Sequence, residues 1–146
     1  MPDHKDPGAE AWELMFELFT GTKRKRLQIA QEYGLSPMQL FALAALEPGR
    51  EAPMSALADT LLCDASNVTG IVDRLEARNL IERRPAAHDR RVKLIALTEE
   101  GERLRDEASR RIRQPPPQIA GLSAADKRAL RDILRRAVAQ RGVKAA

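Results

Sequence analysis

The apolar pattern of this chain passes from helical to strand period near Arg78-Asn79, and that change constrains the fold more than any other feature. Before it, hydrophobic residues recur at three- and four-residue spacing, as on helices. After it come two short runs of strand type, Leu80-Ile81-Glu82-Arg83-Arg84 and Val92-Lys93-Leu94-Ile95-Ala96-Leu97. The segment between them, Pro85-Ala86-Ala87-His88-Asp89-Arg90-Arg91, predicts a hairpin with a charged tip. Two short helices precede the change. Ser55 is placed to cap Ala56 to Leu62, with Leu57, Leu61 and Leu62 on one face, and Cys63-Asp64 breaks that helix. The next runs from Ala65 to Arg78, where Val68, Ile71, Val72 and Leu75 form a stripe at i, i+3, i+4 and i+7.

The flanks are also helical. A first helix should follow Pro7-Gly8 and reach Tyr33, with Trp12, Phe16 and Phe19 recurring on one broad face beside Leu14 and Leu18. Gly34 stops it. Ser36-Pro37 supplies a cap and a first-turn proline for a helix carrying Leu40, Phe41, Leu43, Ala44 and Leu46, which Glu47-Pro48-Gly49 ends. After the hairpin, Thr98 with Glu99, Glu100 and Gly101 opens a helix to about Arg113, where Pro115-Pro116-Pro117 must interrupt it. Ser123, with Asp126 three residues on, begins a last helix bearing Leu130, Ile133, Leu134 and Val138. The expected fold is mainly α (α+β), a winged helix-turn-helix with a two-stranded wing between terminal helices. The expected division is 1–34, 35–98 and 99–146. The apolar stripes at the two chain ends exceed what a middle core of about 70 residues covers, and pairing of two subunits accounts for them.

Composition narrows the functional classes. At 146 residues and 43% hydrophobic, with three Phe, one Tyr and one Trp, the apolar surface is mostly aliphatic and suits helix packing. A net charge of +4 permits a nucleic-acid partner without requiring one. No apolar run approaches the length of a bilayer span, and the opening Met1-Pro2-Asp3-His4-Lys5-Asp6 is polar, so a soluble, cytoplasmic protein with no membrane partner is expected. Cys63 stands alone, and with His4 and His88 as the only histidines neither a disulfide nor a zinc site is expected. Nothing pairs a nucleophile with a base, and there is no glycine-rich phosphate loop, so no cofactor and no enzyme activity are expected.

Helix, tight turn, helix and basic hairpin are suited to reading DNA: a helix fits the major groove and a projecting loop reaches beside it. With Val68, Ile71, Val72 and Leu75 inward, Ser66, Asn67, Thr69, Gly70, Asp73 and Arg74 lie around the other side. Asn pairs with adenine, Arg with guanine, a Thr methyl touches a thymine methyl, and Gly70 removes bulk where backbone approaches DNA. Asp73 is expected to orient Arg74 or to accept from cytosine. Between Glu82 and Lys93 the cations Arg83, Arg84, Arg90, Arg91 and Lys93 outnumber Glu82 and Asp89 by three. Arginine at such a tip enters a narrow minor groove, and Asp89 is placed to brace a guanidinium. The alternatives are an ordinary solvated helix face and a charged turn that keeps a sheet edge soluble. Lys23-Arg24-Lys25-Arg26 is read as solvated helix surface, and Cys63 as a small hydrophobe.

The stretch Asp89-Arg90-Arg91-Val92-Lys93-Leu94-Ile95-Ala96-Leu97-Thr98-Glu99-Glu100-Gly101 resembles the wing signature of the MarR family of bacterial transcription factors. Leu35-Ser36-Pro37-Met38-Gln39-Leu40, Val68-Thr69-Gly70-Ile71-Val72-Asp73-Arg74-Leu75-Glu76 and Gly121-Leu122-Ser123 are similar to other family stretches. The resemblance implies a homodimer built from the first, fifth and sixth helices and a palindromic double-stranded DNA operator. It assigns recognition to Ser66, Asn67, Thr69, Gly70 and Arg74, wing contacts to Arg90 and Arg91, and the bracing role to Asp89. It also implies a small lipophilic or phenolic effector bound near Trp12, Phe16, Phe19, Met38 and Phe41, residues for which core packing is the preferred reading. The proline run at 115–117 departs from the family's long fifth helix. A competing class is a winged protein-interaction module, which calls for a neutral or acidic wing.

Overall fold

The computed structural model describes residues 6–140. It divides between Arg113 and Gln114, just ahead of the proline run. In the larger unit, helix α1 (Pro7–Gly21) is capped by Asp6, whose carboxylate accepts the Ala9 N–H at 3.1 Å. The expected single helix to Tyr33 is interrupted at Thr22. The Thr22 hydroxyl donates to the Phe19 carbonyl at 2.7 Å and its N–H bonds the same oxygen, so the side chain competes with the helical ladder. Helix α2 (Lys23–Glu32) resumes beyond it. Helix α3 (Pro37–Ala45) opens on the anticipated cap: Ser36 Oγ accepts the Gln39 N–H at 3.1 Å while Gln39 Oε1 accepts the Ser36 N–H at 3.0 Å.

Strand β1 (Ala52–Pro53) had no signal in the sequence. It is followed by α4 (Met54–Leu61), α5 (Ala65–Ala77), β2 (Ile81–Pro85), β3 (Lys93–Leu97) and α6 (Glu99–Ile112). The wing is therefore a three-stranded antiparallel sheet in the order β1-β3-β2, not a two-stranded ribbon. Ala52 pairs with Ile95 and Pro53 with Leu94, while β2 pairs with β3 from Ile81↔Leu97 to Pro85↔Lys93. A two-residue edge strand containing proline tolerates the missing N–H and is too short to show a period. Helix α4 begins at Met54, so its N-cap falls two residues before the expected Ser55, on Pro53, which makes no side-chain hydrogen bond.

The core lies where the helix-turn-helix meets the sheet. Ile29, Leu43, Val68, Val72, Leu75, Leu80, Ile81 and Ile95 are its largest fully buried side chains, each contributing about 1.5–3 kcal/mol of transfer free energy. Helix α6 docks here through its first turn. Thr98 Oγ1 accepts the Gly101 N–H at 3.0 Å and donates to the Asn79 carbonyl at 2.6 Å, and the Thr98 N–H reaches the Leu80 carbonyl at 3.1 Å. A Cβ on Gly101 would fall 1.8 Å from that Leu80 oxygen, so only glycine fits.

Three helices end alike. After α2, α4 and α5 the residue at the left-handed position is Gly34 (φ 65°), Leu62 (φ 52°) and Asn79 (φ 56°). In each case its N–H bonds the carbonyl three residues back, and the following N–H, of Leu35, Cys63 or Leu80, bonds the one five back. Leu62, expected on the buried face of its helix, is turned out by this geometry and is 93% exposed.

The smaller unit holds α7 (Pro117–Ala120), a single turn begun by the last proline of the run, and α8 (Ala124–Ala139). Ser123 caps α8 as expected, accepting the Asp126 N–H at 3.1 Å. Neither α1 nor α8 contains a buried residue: Trp12 is 67% exposed, Phe16 60% and Val138 63%. No helix among the described residues is long and apolar enough to cross a membrane.

Candidate nucleic-acid interface

Helix α5 is the second helix of the helix-turn-helix, and its pattern of burial follows from its sequence. Val68, Val72 and Leu75 are buried and Ile71 is half-buried, while Ser66, Asn67, Thr69, Gly70, Asp73 and Arg74 are exposed. The structure qualifies what each is free to do. Asn67 Nδ2 donates to Asp64 Oδ1 at 2.7 Å, and Thr69 Oγ1 donates to the Ala65 carbonyl at 2.9 Å. These bonds orient both side chains in the absence of a ligand. A Cβ on Gly70 would meet nothing within 4 Å, so nothing in the chain itself demands glycine in this exposed turn.

Asp73 does not orient Arg74. Its carboxylate binds the guanidinium of Arg83 on β2, which also binds Glu76. Glu76 Oε1 additionally accepts the Arg83 backbone N–H at 3.3 Å. One arginine therefore fastens the outward edge of α5 to the base of the wing. Partial burial would lower the Arg83 pKa, but the hydrogen bonds and charges of Asp73 and Glu76 outweigh it and raise it. Arg83 was legible only as part of a charge count, because its partners are seven and ten residues away on another element. Arg83→Ala is expected to weaken DNA binding severalfold while leaving the slope of log affinity against log salt unchanged, since this guanidinium is already neutralised. A titration at four salt concentrations checks this; a shallower slope would make Arg83 a phosphate contact instead.

The wing arginines separate into two groups. Arg84, expected to contact DNA, is held between Glu51, at 3.1 Å, and Glu82. The hydrogen bonds it donates to Glu51 and then to Glu82 raise its pKa. By contrast Arg74, Arg90, Arg91 and Lys93 are exposed and form no ion pair among the described residues. Asp89 braces the tip in a different way from that expected: its Oδ1 accepts the Arg91 backbone N–H at 2.9 Å and, among the described residues, pairs with no guanidinium. With Ala86 N–H on the Val92 carbonyl at 2.9 Å and Val92 N–H on the Asp89 carbonyl at 3.1 Å, this shapes the turn that presents Arg90 and Arg91.

The residues assigned to an effector site do not form part of the core. Trp12, Phe16, Phe19, Met38 and Phe41 are all exposed in the single chain. Of the basic run, Arg26 is committed locally, stacked 4.1 Å over the Phe19 ring and bonded to Thr22 Oγ1 at 2.5 Å. Cys63 is half-buried, with Sγ 3.4 Å from the Leu61 carbonyl it donates to. His88 is exposed at the wing tip, and His4 lies outside the described residues.

A fold with this helix-turn-helix, this sheet order and these flanking helices has known counterparts. The model of the MarR family matches residues 33–92, from the end of α2 through the wing tip. The HTH-type transcriptional repressor MdtR of Bacillus subtilis is 38% identical over 85 residues, 58% of this chain and 55% of the repressor. Over residues 33–92 the chain is similar to the MarR family. The chain spans about half the length of that curated relative. Two solved structures extend the likeness over almost the whole chain. A MarR family protein from Bacillus stearothermophilus is 26% identical with a TM-score of 0.76, covering 93% of this chain and 95% of that one. An F27L mutant of MepR from S. aureus, bound to an oligodeoxyribonucleotide, has the same fold at 21% identity and a TM-score of 0.64, covering 88% of this chain and 96% of that one. Relatives and family are transcriptional regulators, not enzymes. The matched region stops at Val92, so the Thr98-Glu99-Glu100-Gly101 docking turn lies outside it.

Proposed function

We propose that this protein regulates transcription as a homodimer that binds a palindromic operator in double-stranded DNA. The observation that carries the reading is the uneven pairing of its cations. Within one surface, Arg83 and Arg84 are neutralised by carboxylates, while Arg74, Arg90, Arg91 and Lys93 have none among the described residues. Unpaired cations on the outer helix face and the wing tip match phosphates spaced along a duplex. Asn67, Thr69 and Ser66 then face base edges in the major groove, and Gly70 leaves room for close approach. A neutral or acidic wing, which the protein-interaction alternative needs, is not what this chain carries.

Dimerisation is supported by α1 and α8, two helices with apolar stripes and no buried residue. On this reading the helices within 1–34 and 99–146 join two subunits, and 35–98 reads DNA. The two α5 helices enter successive major grooves about 10 base pairs apart, with the wings outside. Bound over a promoter the dimer represses. An effector, by family analogy a lipophilic or phenolic molecule near Trp12, Phe16, Phe19, Met38 and Phe41, releases it by preferring a different spacing of the two reading heads.

Selection of binding sites from random duplex DNA, with the oligomeric state measured in parallel, is the test. Enrichment of an inverted repeat with half-sites one helical turn apart is expected, bound by two chains. Failure to enrich any palindrome removes operator-specific regulation.

A further inference from the structure

The three left-handed helix ends compare one backbone geometry with three different residues. Gly34 and Asn79 are the types that enter this region at little cost, glycine because it lacks Cβ and asparagine because its short amide bonds locally. Leu62 is neither. Its φ of 52° carries the steric penalty of a branched aliphatic side chain, and its 93% exposure forfeits the burial that would offset it. The hydrogen bonds that close the turn are the same in all three: Leu62 N–H on Asp59 at 3.3 Å and Cys63 N–H on Ala58 at 3.2 Å. The side chain contributes nothing to closure that asparagine or glycine would not. A residue strained and bare in the free chain, at a site where a cheaper one folds as well, points to an external partner.

Its position identifies that partner. Leu62 occupies the turn between α4 and α5, two residues ahead of the α5 N-cap Asp64 and four and five residues ahead of exposed Ser66 and Asn67. Resting on the DNA reading above, we infer that Leu62 is an apolar DNA contact. It packs on the sugar edges and thymine methyls at the mouth of the groove that α5 enters, burying on binding the surface left bare in the free chain. Such a contact neutralises no phosphate, so it adds affinity without adding salt dependence.

The experiment uses the full chain and a selected operator. Leu62→Asn is expected to keep or raise the melting temperature, because asparagine accepts the backbone better. The same variant should bind operator about fivefold more weakly, roughly the effect of losing one apolar base contact of about 1 kcal/mol. Its salt slope should match wild type, and Leu62→Met, which keeps an apolar side chain, should retain affinity. Equal affinity of wild type and Leu62→Asn overturns the inference alone, leaving the DNA reading intact. A change in oligomeric state without a change in DNA affinity also overturns it, in favour of a protein contact. No DNA binding by wild type removes both.

Discussion

Replacing Gly101 with alanine is expected to cost on the order of 3 kcal/mol, the upper end of the range for overpacking a tight contact. The added Cβ would lie 1.8 Å from the Leu80 carbonyl oxygen and 2.8 Å from its carbon, both backbone atoms. No side-chain rotation relieves that clash, so α6 must back away from the α5–β2 turn. Backing away also strains the Thr98 bonds to the Asn79 and Leu80 carbonyls. Since α6 contributes Leu104 and Ala108 to the core, the loss spreads beyond the first turn. Urea titration followed by circular dichroism should show a lower midpoint with an unchanged slope, and the melting temperature should fall by roughly 10 °C. Gly70→Ala is the contrast. With nothing within 4 Å of its Cβ, that change should stabilise the helix by about 1 kcal/mol. A Gly101→Ala protein as stable as wild type would mean that the α6 docking turn is looser than described.

The second large effect is on binding. Arg91→Ala, and more so the Arg90→Ala/Arg91→Ala pair, should weaken operator binding by one to two orders of magnitude at low salt. Each lost phosphate contact per subunit should also make the salt slope of the dimer shallower by about 2. With about four phosphates neutralised per subunit, the wild-type slope should be near −7. Arg84→Ala serves as control. Because Glu51 and Glu82 already occupy its guanidinium, its removal should leave the slope nearly unchanged. If Arg84→Ala and Arg91→Ala behaved alike, the division of the wing into paired and unpaired arginines would not describe the bound state.

Much of this was legible in the chain because the signals are local. The caps at Ser36 and Ser123, the Val68-Val72-Leu75 stripe, the strand runs and the stop at Gly34 depend on neighbours within a helical turn or a hairpin. The exceptions have local causes of another kind. Thr22 splits the first helix through a hydroxyl bond to Phe19 that competes with the ladder. Leu62 leaves its apolar face because the residue after Leu61 must turn left-handed. Strand β1 has two residues, too few to carry a period, and exists because β3 offers a free edge.

By itself, then, the sequence determined a helix-turn-helix followed by a basic hairpin, since hydrophobic period, caps and turn residues act over a few positions. Only the tertiary structure decided which charges on that surface are free. Asp73 and Glu76 meet Arg83, and Glu51 meets Arg84, through folding that brings α5, β1 and β2 together. An ion pair depends on distance in space, which charge counting along a chain cannot supply. The same holds for Gly101: its motif is visible as letters, but the reason for it is a carbonyl twenty-one positions earlier, placed against it by the fold.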